Sequence, residues 1–223
     1  MKEIFLHVGL PRTGTTFLQR NVFPKLNLHY TNLIKHGFYP TEGKNLLSDE
    51  NLCGRPQSPS TLDRKMMLLG LHQMYPNAKV IVCFREQESF YKSLYTVLVK
   101  TGFAGSFQDA RKIMVVKYHY PEIKHFLKDT FDDIFEYHFE DFVRDKKGTI
   151  KAMCDFMGVE VPDYHDELIN PRWNDRQLKL CRVLNRIIEA KKFDERQGFY
   201  TNKDFVNLLS DNKITKGGVR WKL

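Results

Sequence analysis

Near the start of the chain, residues 3–8, Glu-Ile-Phe-Leu-His-Val, make a short apolar run that stops at Gly9. A run of this length ended by glycine predicts a buried strand. Residues 15–23 read as a helix ended by Pro24. Residues 24–58 are mixed and rich in Pro, Gly and Asn, with one strand candidate at 45–48. Ser60 and Asp63 resemble a capping box ahead of Met66, Met67, Leu69 and Leu71, which predicts a helix to about residue 74. After a Pro76-Asn77 turn, residues 79–84 form the clearest strand: β-branched and apolar on both faces, as a central parallel strand is. A helix is expected over 87–100, a helical stretch over 107–128 broken at Pro121, a strand over 134–139 and a helix over 149–157 closed by Gly158. Two further helices are expected at 175–192 and 203–209. Strand and helix alternate through the first two thirds, and the C-terminal third is helical. This pattern predicts an α/β three-layer sandwich with a central parallel sheet. No internal repeat or domain boundary is visible, so residues 1–223 read as a single domain.

Composition narrows the class. A chain of 223 residues with 42% hydrophobic and 28% charged positions is neither disordered, fibrous nor membrane-embedded. A domain of this size buries roughly 70% of its unfolded surface, so it needs neither disulfides nor metal to stay folded. No apolar run approaches the ~20 residues of a spanning helix. The N-terminus enters a strand at once without a small-residue cleavage site, so no signal peptide is expected. Cys53, Cys83, Cys154 and Cys181 never form a Cys-x-x-Cys pair. That argues against a zinc site and fits reduced thiols in the cytoplasm. The net charge of +8 calls for an anionic partner: nucleic acid, nucleotide, glycan or membrane surface. No nucleic-acid signature is present. The densest basic stretches, 145–148 and Lys213, Lys216, Arg220 and Lys222, read chiefly as solvated surface.

The candidate chemistry lies in Gly9-Leu-Pro-Arg-Thr-Gly-Thr-Thr16, between the first strand and the first helix. A glycine-rich turn there aims backbone N–H groups and the positive helix end at one spot, as a phosphate requires. The Gly9 to Gly14 spacing matches Gly-x-x-x-x-Gly-Lys-Ser/Thr, but Thr15 holds the lysine position and the loop's cation is Arg12. The strand over 79–84 runs into Arg85, where a nucleotide triphosphatase carries a magnesium-binding aspartate. No metal ligand is therefore expected. Ligands of doubly wound sheets bind beyond the carboxyl ends of the strands, so Arg85, with Ser93 two helical turns on, faces the same crevice. The alternative is a strand-end arginine paired with Glu86 or Glu88.

Together these two elements resemble the sulfotransferases that use 3′-phosphoadenosine 5′-phosphosulfate (PAPS), which have a P-loop-like fold. The resemblance implies that Arg12, Thr13, Gly14, Thr15 and Thr16 bind the 5′-phosphosulfate and that Arg85 and Ser93 bind the 3′-phosphate. Arginine at position 12 is similar to the bacterial and tyrosylprotein-type members, whereas the cytosolic hormone-sulfating branch has lysine. Phe139-Glu-Asp-Phe142 and Cys154-Asp-Phe-Met-Gly158 resemble further family segments. The family's C-terminal glycine-rich cofactor loop has no clear counterpart; Lys216-Gly217-Gly218 is a candidate, and a basic tail is the alternative.

Sulfuryl transfer needs stabilisation of the leaving oxygen, for which the resemblance nominates Arg12 and the hydroxyls of Thr15 and Thr16, and a base for the acceptor proton. Glu50 follows the apolar stretch Leu46-Leu-Ser-Asp and matches a Ser-x-Glu sequence of bacterial members, which makes it the expected base. An exposed acidic turn and a helix-capping Asp49 compete with that reading. His29 and His36 are alternative bases, and His7 is expected to pack in the sheet. The implied function is sulfuryl transfer from PAPS to an acceptor hydroxyl or amine, releasing adenosine 3′,5′-bisphosphate. The alternatives are a nucleotide or small-molecule kinase with a degenerate P-loop, and a non-catalytic binder of anionic nucleotides or nucleic acid.

Overall fold

The computed structural model describes residues 2–32, 38–53, 62–117, 120–166 and 173–187. Five strands, β1 (Lys2–Val8), β2 (His29–Thr31), β3 (Gly43–Asp49), β4 (Lys79–Phe84) and β5 (Ile134–His138), form one sheet in the order β2-β3-β1-β4-β5. Every pairing is parallel. The helices are α1 (Thr15–Phe17), α2 (Leu62–Met74), α3 (Gln87–Lys100), α4 (Phe107–Lys117), α5 (Tyr120–Thr130), α6 (Phe139–Arg144), α7 (Lys146–Met157) and α8 (Asp175–Ile187). No helix among the described residues is long and apolar enough to cross a membrane.

The central strands are apolar on both faces, and alternation sends their side chains to two separate cores. On one face Phe5, Leu46, Ile81, Cys83 and Tyr137 pack with Phe17, Leu18 and Phe23 and with Phe142, Ile150 and Met153 of α6 and α7. On the other, Phe84 meets Tyr120 of α5 edge-on at 5.6 Å, and α2 buries Leu68 and Leu71. The chain leaves β1 for the far edge, returns through β3, then crosses β1 to reach β4. The strand order therefore reverses between β1 and β4, which is where open parallel sheets form their ligand crevice.

Several elements depart from the sequence reading. Regular α-helix covers only Thr15–Phe17 of the stretch expected over 15–23. It widens to a π turn at Leu18–Val22, where the Phe23 amide reaches the Leu18 carbonyl, and tightens to a 3-10 turn at Phe23–Lys25. Pro24 explains the irregularity, because it has no N–H to donate and its ring crowds the preceding turn. The strand expected to 139 ends at His138, and Phe139 opens α6. The stretch over 107–128 is two helices, with Pro121 accommodated in the first turn of α5, where its missing N–H costs nothing. The helix expected at 203–209, the end of the one at 175–192, Ser60, His36 and Lys216 lie outside the described residues.

The contacts divide the chain into two compact units, Met1–Phe90 with Val115–Ile169, and Tyr91–Met114 with Asn170–Leu223. The first contains the sheet. In the second, Tyr95 packs against Phe107 and donates to the Gly105 carbonyl at 3.1 Å. Asn185 of α8 donates to the Val99 and Phe103 carbonyls at 2.9 and 3.1 Å, which ties α8 to the end of α3.

Candidate functional site

The loop between β1 and α1 is built around two glycines for different reasons. A Cβ on Gly9 would stand 2.6 Å from the Thr15 hydroxyl oxygen, so only glycine lets Thr15 close over the loop. Gly14 has φ 85°, and a Cβ there would stand 3.0 Å from the Phe142 ring. Arg12, although not glycine, also has positive φ, 66°. Left-handed residues alternating with ordinary ones turn successive N–H groups into one concavity, which is the geometry of an anion cradle. The threonines divide their labour. Thr13 is buried and donates to the Leu10 carbonyl at 2.6 Å, Thr15 is buried against Gly9, and Thr16 is only half-buried.

Arg85 leaves the carboxyl end of β4 on the other side of the strand reversal. Its Nη1 donates to the Arg12 carbonyl at 2.8 Å, and its Nε and Nη2 donate to the Ser89 hydroxyl at 3.0 and 2.9 Å. The guanidinium lies 4.3 Å from the centre of the Phe139 ring. The Glu86 carboxylate accepts from the Glu88 and Ser89 amides and so caps α3. Ser93 lies further along α3, in the second unit, half-buried. Ser89 was not singled out in the sequence, although a serine four residues after an arginine at a helix start is within side-chain reach. Phe139 carries no such local signal.

Register brings Glu50 to the same end of the sheet. Val8 pairs with Asp49, so Gly9 and Glu50 follow neighbouring positions on adjacent strands. Glu50 opens a 3-10 turn (Glu50–Cys53) and is half-buried, while Asp49 is 6% exposed; neither is the exposed acidic turn. Burial pushes the Glu50 carboxyl above its ordinary pKa, the Arg12 cation partly offsets this, and Asp49 adds to it. Arg12 is lowered by burial and partly restored by Glu50, so each supports the other's charged form. His29 pairs with Asn45, which pairs with Ile4, so it sits several residues short of the carboxyl end. His7 is fully buried, with Nδ1 2.7 Å from the Ser48 hydroxyl, and burial lowers its pKa to about 3. Gln19, in the π turn, donates to the Ser48 carbonyl and hydroxyl at 3.2 and 3.0 Å. These bonds clasp β1, β3 and the helix behind the loop.

A model of the sulfotransferase family matches residues 29–163, more than half of the chain. The match begins after the loop between β1 and α1, so residues 9–16 are an observation independent of it. No curated protein matches the chain. Among solved structures, a sulfotransferase from Alicyclobacillus acidocaldarius is 18% identical and covers 88% of this chain and 100% of its own, with a TM-score of 0.49. Mouse sulfotransferase SULT7A1, complexed with PAP, is 12% identical and covers 96% of this chain and 89% of its own, with a TM-score of 0.48. Strand order and loop geometry, not these superpositions, carry the fold assignment.

Proposed function

The chain belongs to the sulfotransferase family, and from that premise we propose that it moves a sulfuryl group from PAPS to an acceptor hydroxyl or amine and releases adenosine 3′,5′-bisphosphate. The observation that carries the donor assignment is the contact between two cationic elements across the strand reversal, Arg85 Nη1 on the Arg12 carbonyl at 2.8 Å. A donor with phosphate groups at both ends of one ribose needs two such elements side by side.

The residues present fit that donor. The loop offers a cradle that a Cβ at Gly9 or Gly14 would disrupt, together with a cation and a half-buried hydroxyl at Thr16. In this reading Arg12, Thr16 and the backbone of Thr13, Gly14 and Thr15 hold the 5′-phosphosulfate, and Arg85 holds the 3′-phosphate. When bound, PAPS supplies the sulfuryl group and a bisphosphate leaving group. Arg12 then faces the oxygen on which negative charge grows, in a partly desolvated site where that charge is worth more than in water. The neutralisation that a kinase assigns to magnesium falls to Arg12 and Arg85, without a metal.

Glu50 is the acceptor's base in this mechanism. A carboxylate whose pKa is raised by burial has more affinity for a proton than a solvated one, which suits general-base work. Arg12 beside it keeps the charged form populated. We also propose that residues 1–223 act as a single sulfotransferase domain, and that it works in the cytoplasm; the buried free thiols Cys83, Cys154 and Cys181 support a reducing setting. A thermal-shift comparison tests the donor assignment, since a ligand that binds the native state raises the melting temperature. Adenosine 3′,5′-bisphosphate should stabilise the protein more than ATP, ADP or AMP at equal concentration.

A further inference from the structure

One guanidinium is shared between the two phosphate elements. Arg85 spends Nη1 on the Arg12 carbonyl, Nε and Nη2 on the Ser89 hydroxyl, and one face on the Phe139 ring. The group is planar, with its donors in a fixed fork, so these contacts jointly set its orientation. The Nη1 bond falls on the peptide oxygen of Arg12, a non-glycine residue in the left-handed region at φ 66°. Such a conformation persists only where the surroundings hold it. The Arg12 carbonyl and the Thr13 N–H belong to one rigid trans peptide unit and point to opposite sides of it. A donor that fixes the carbonyl therefore also aims the Thr13 amide of the cradle.

We infer that Arg85 is a positioning residue for the 5′-phosphosulfate cradle as well as a 3′-phosphate ligand, and that the two subsites are coupled through it. The inference rests on the donor proposed above. The Nε and Nη2 edge held by Ser89 is the edge that takes a phosphate bidentately. A 3′-phosphate arriving there leaves Nη1 on the Arg12 carbonyl and locks the guanidinium from its other side. A nucleotide without a 3′-phosphate meets a cradle held less firmly, so the coupling adds to selection of the donor.

The test is titration of the full chain and of Arg85→Ala with adenosine, adenosine 5′-monophosphate, adenosine 3′-monophosphate and adenosine 3′,5′-bisphosphate. Loss of the carbonyl bond should weaken the 5′-monophosphate about five- to tenfold, the effect of one net hydrogen bond, and leave adenosine unchanged. The deficit should persist as salt rises from about 0.05 to about 0.5 M, whereas the effect of a lost distant charge is screened. Arg85→Lys keeps the charge but cannot span Ser89 and the Arg12 carbonyl at once. It should show the same 5′-side deficit, and it replaces the alanine variant if that one melts early. A loss confined to ligands with a 3′-phosphate, a deficit that vanishes at high salt, or an equal loss for adenosine would each overturn the coupling. Failure of the unsubstituted protein to prefer the bisphosphate overturns the proposed donor itself, and is read before any variant is made.

Discussion

Glu50 and His7 lie near the same end of the sheet, and burial drives them to opposite tasks. His7 has an ordinary value of 6.5 and a folded value of about 3, because burial strips an imidazolium there of its solvation. The unfolded chain therefore binds more protons than the folded one between roughly pH 6.5 and 3. His7 favours the fold above that window and loses this contribution as pH falls through it. Denaturant titrations at stepped pH should show a slope approaching about 1.4 kcal/mol per pH unit from this residue. His7→Gln should flatten the slope, and an unchanged slope would contradict the assignment. Glu50 is raised instead, so its contribution is full below the unfolded carboxyl pKa and is lost as pH rises through the folded one. Glu50→Gln should accordingly melt no lower than the parent at neutral pH and keep its bisphosphate affinity, yet lose roughly 10²-fold in turnover on a working acceptor. Asp49→Asn should be mild by comparison, and near-normal turnover in Glu50→Gln would move the base elsewhere. The place of Glu50 at a strand end beside the first loop is legible in the sequence, because it is a position and not a contact. Ser48 and Gln19 are not, since their partners lie 41 and 29 residues away along the chain.

The elements that form the site differ in how far local sequence determines them. β1 and β4 were readable because an apolar run bounded by glycine or an arginine leaves little choice of conformation. β2 was missed because His29-Tyr30-Thr31 is a short, part-exposed edge strand with no run to detect. The sequence predicts strand at the first residue of α6 because Phe139 extends an aromatic segment whose chain direction changes only in three dimensions. The loop's glycines predict a turn, and their reasons are tertiary: Gly9 yields to Thr15, and Gly14 to Phe142. This separates two effects in one pair of variants. Gly9→Ala should lower both stability and bisphosphate affinity, because its Cβ overlaps the Thr15 side chain. Adding Thr15→Ala removes both close contacts and should recover part of the stability while leaving binding impaired, since the loop has lost the side chain that closes it. Paired thermal melts and titrations measure this, and full recovery of binding would show that Thr15 serves only as packing.

For the molecule as a whole, the fold class was legible, because strand and helix alternation dictates a parallel sheet, and such a sheet offers a ligand crevice where strand order reverses. The +8 charge named an anionic partner without choosing one. The proposal of PAPS is supported by the loop, by Arg85 where a nucleotide triphosphatase carries an aspartate, and by the family match over residues 29–163. The acceptor stayed illegible, because its pocket depends on loops whose shapes no local pattern specifies. In the proposed mechanism two arginine-bearing elements bind a nucleotide with phosphate at both the 3′ and 5′ positions, without a metal. Calorimetry of adenosine 3′,5′-bisphosphate and ATP, each with and without a chelator, tests it most directly. The bisphosphate should bind more tightly than ATP, with an affinity that the chelator leaves unchanged. Equal or tighter binding of ATP, or a strict requirement for magnesium, would contradict it.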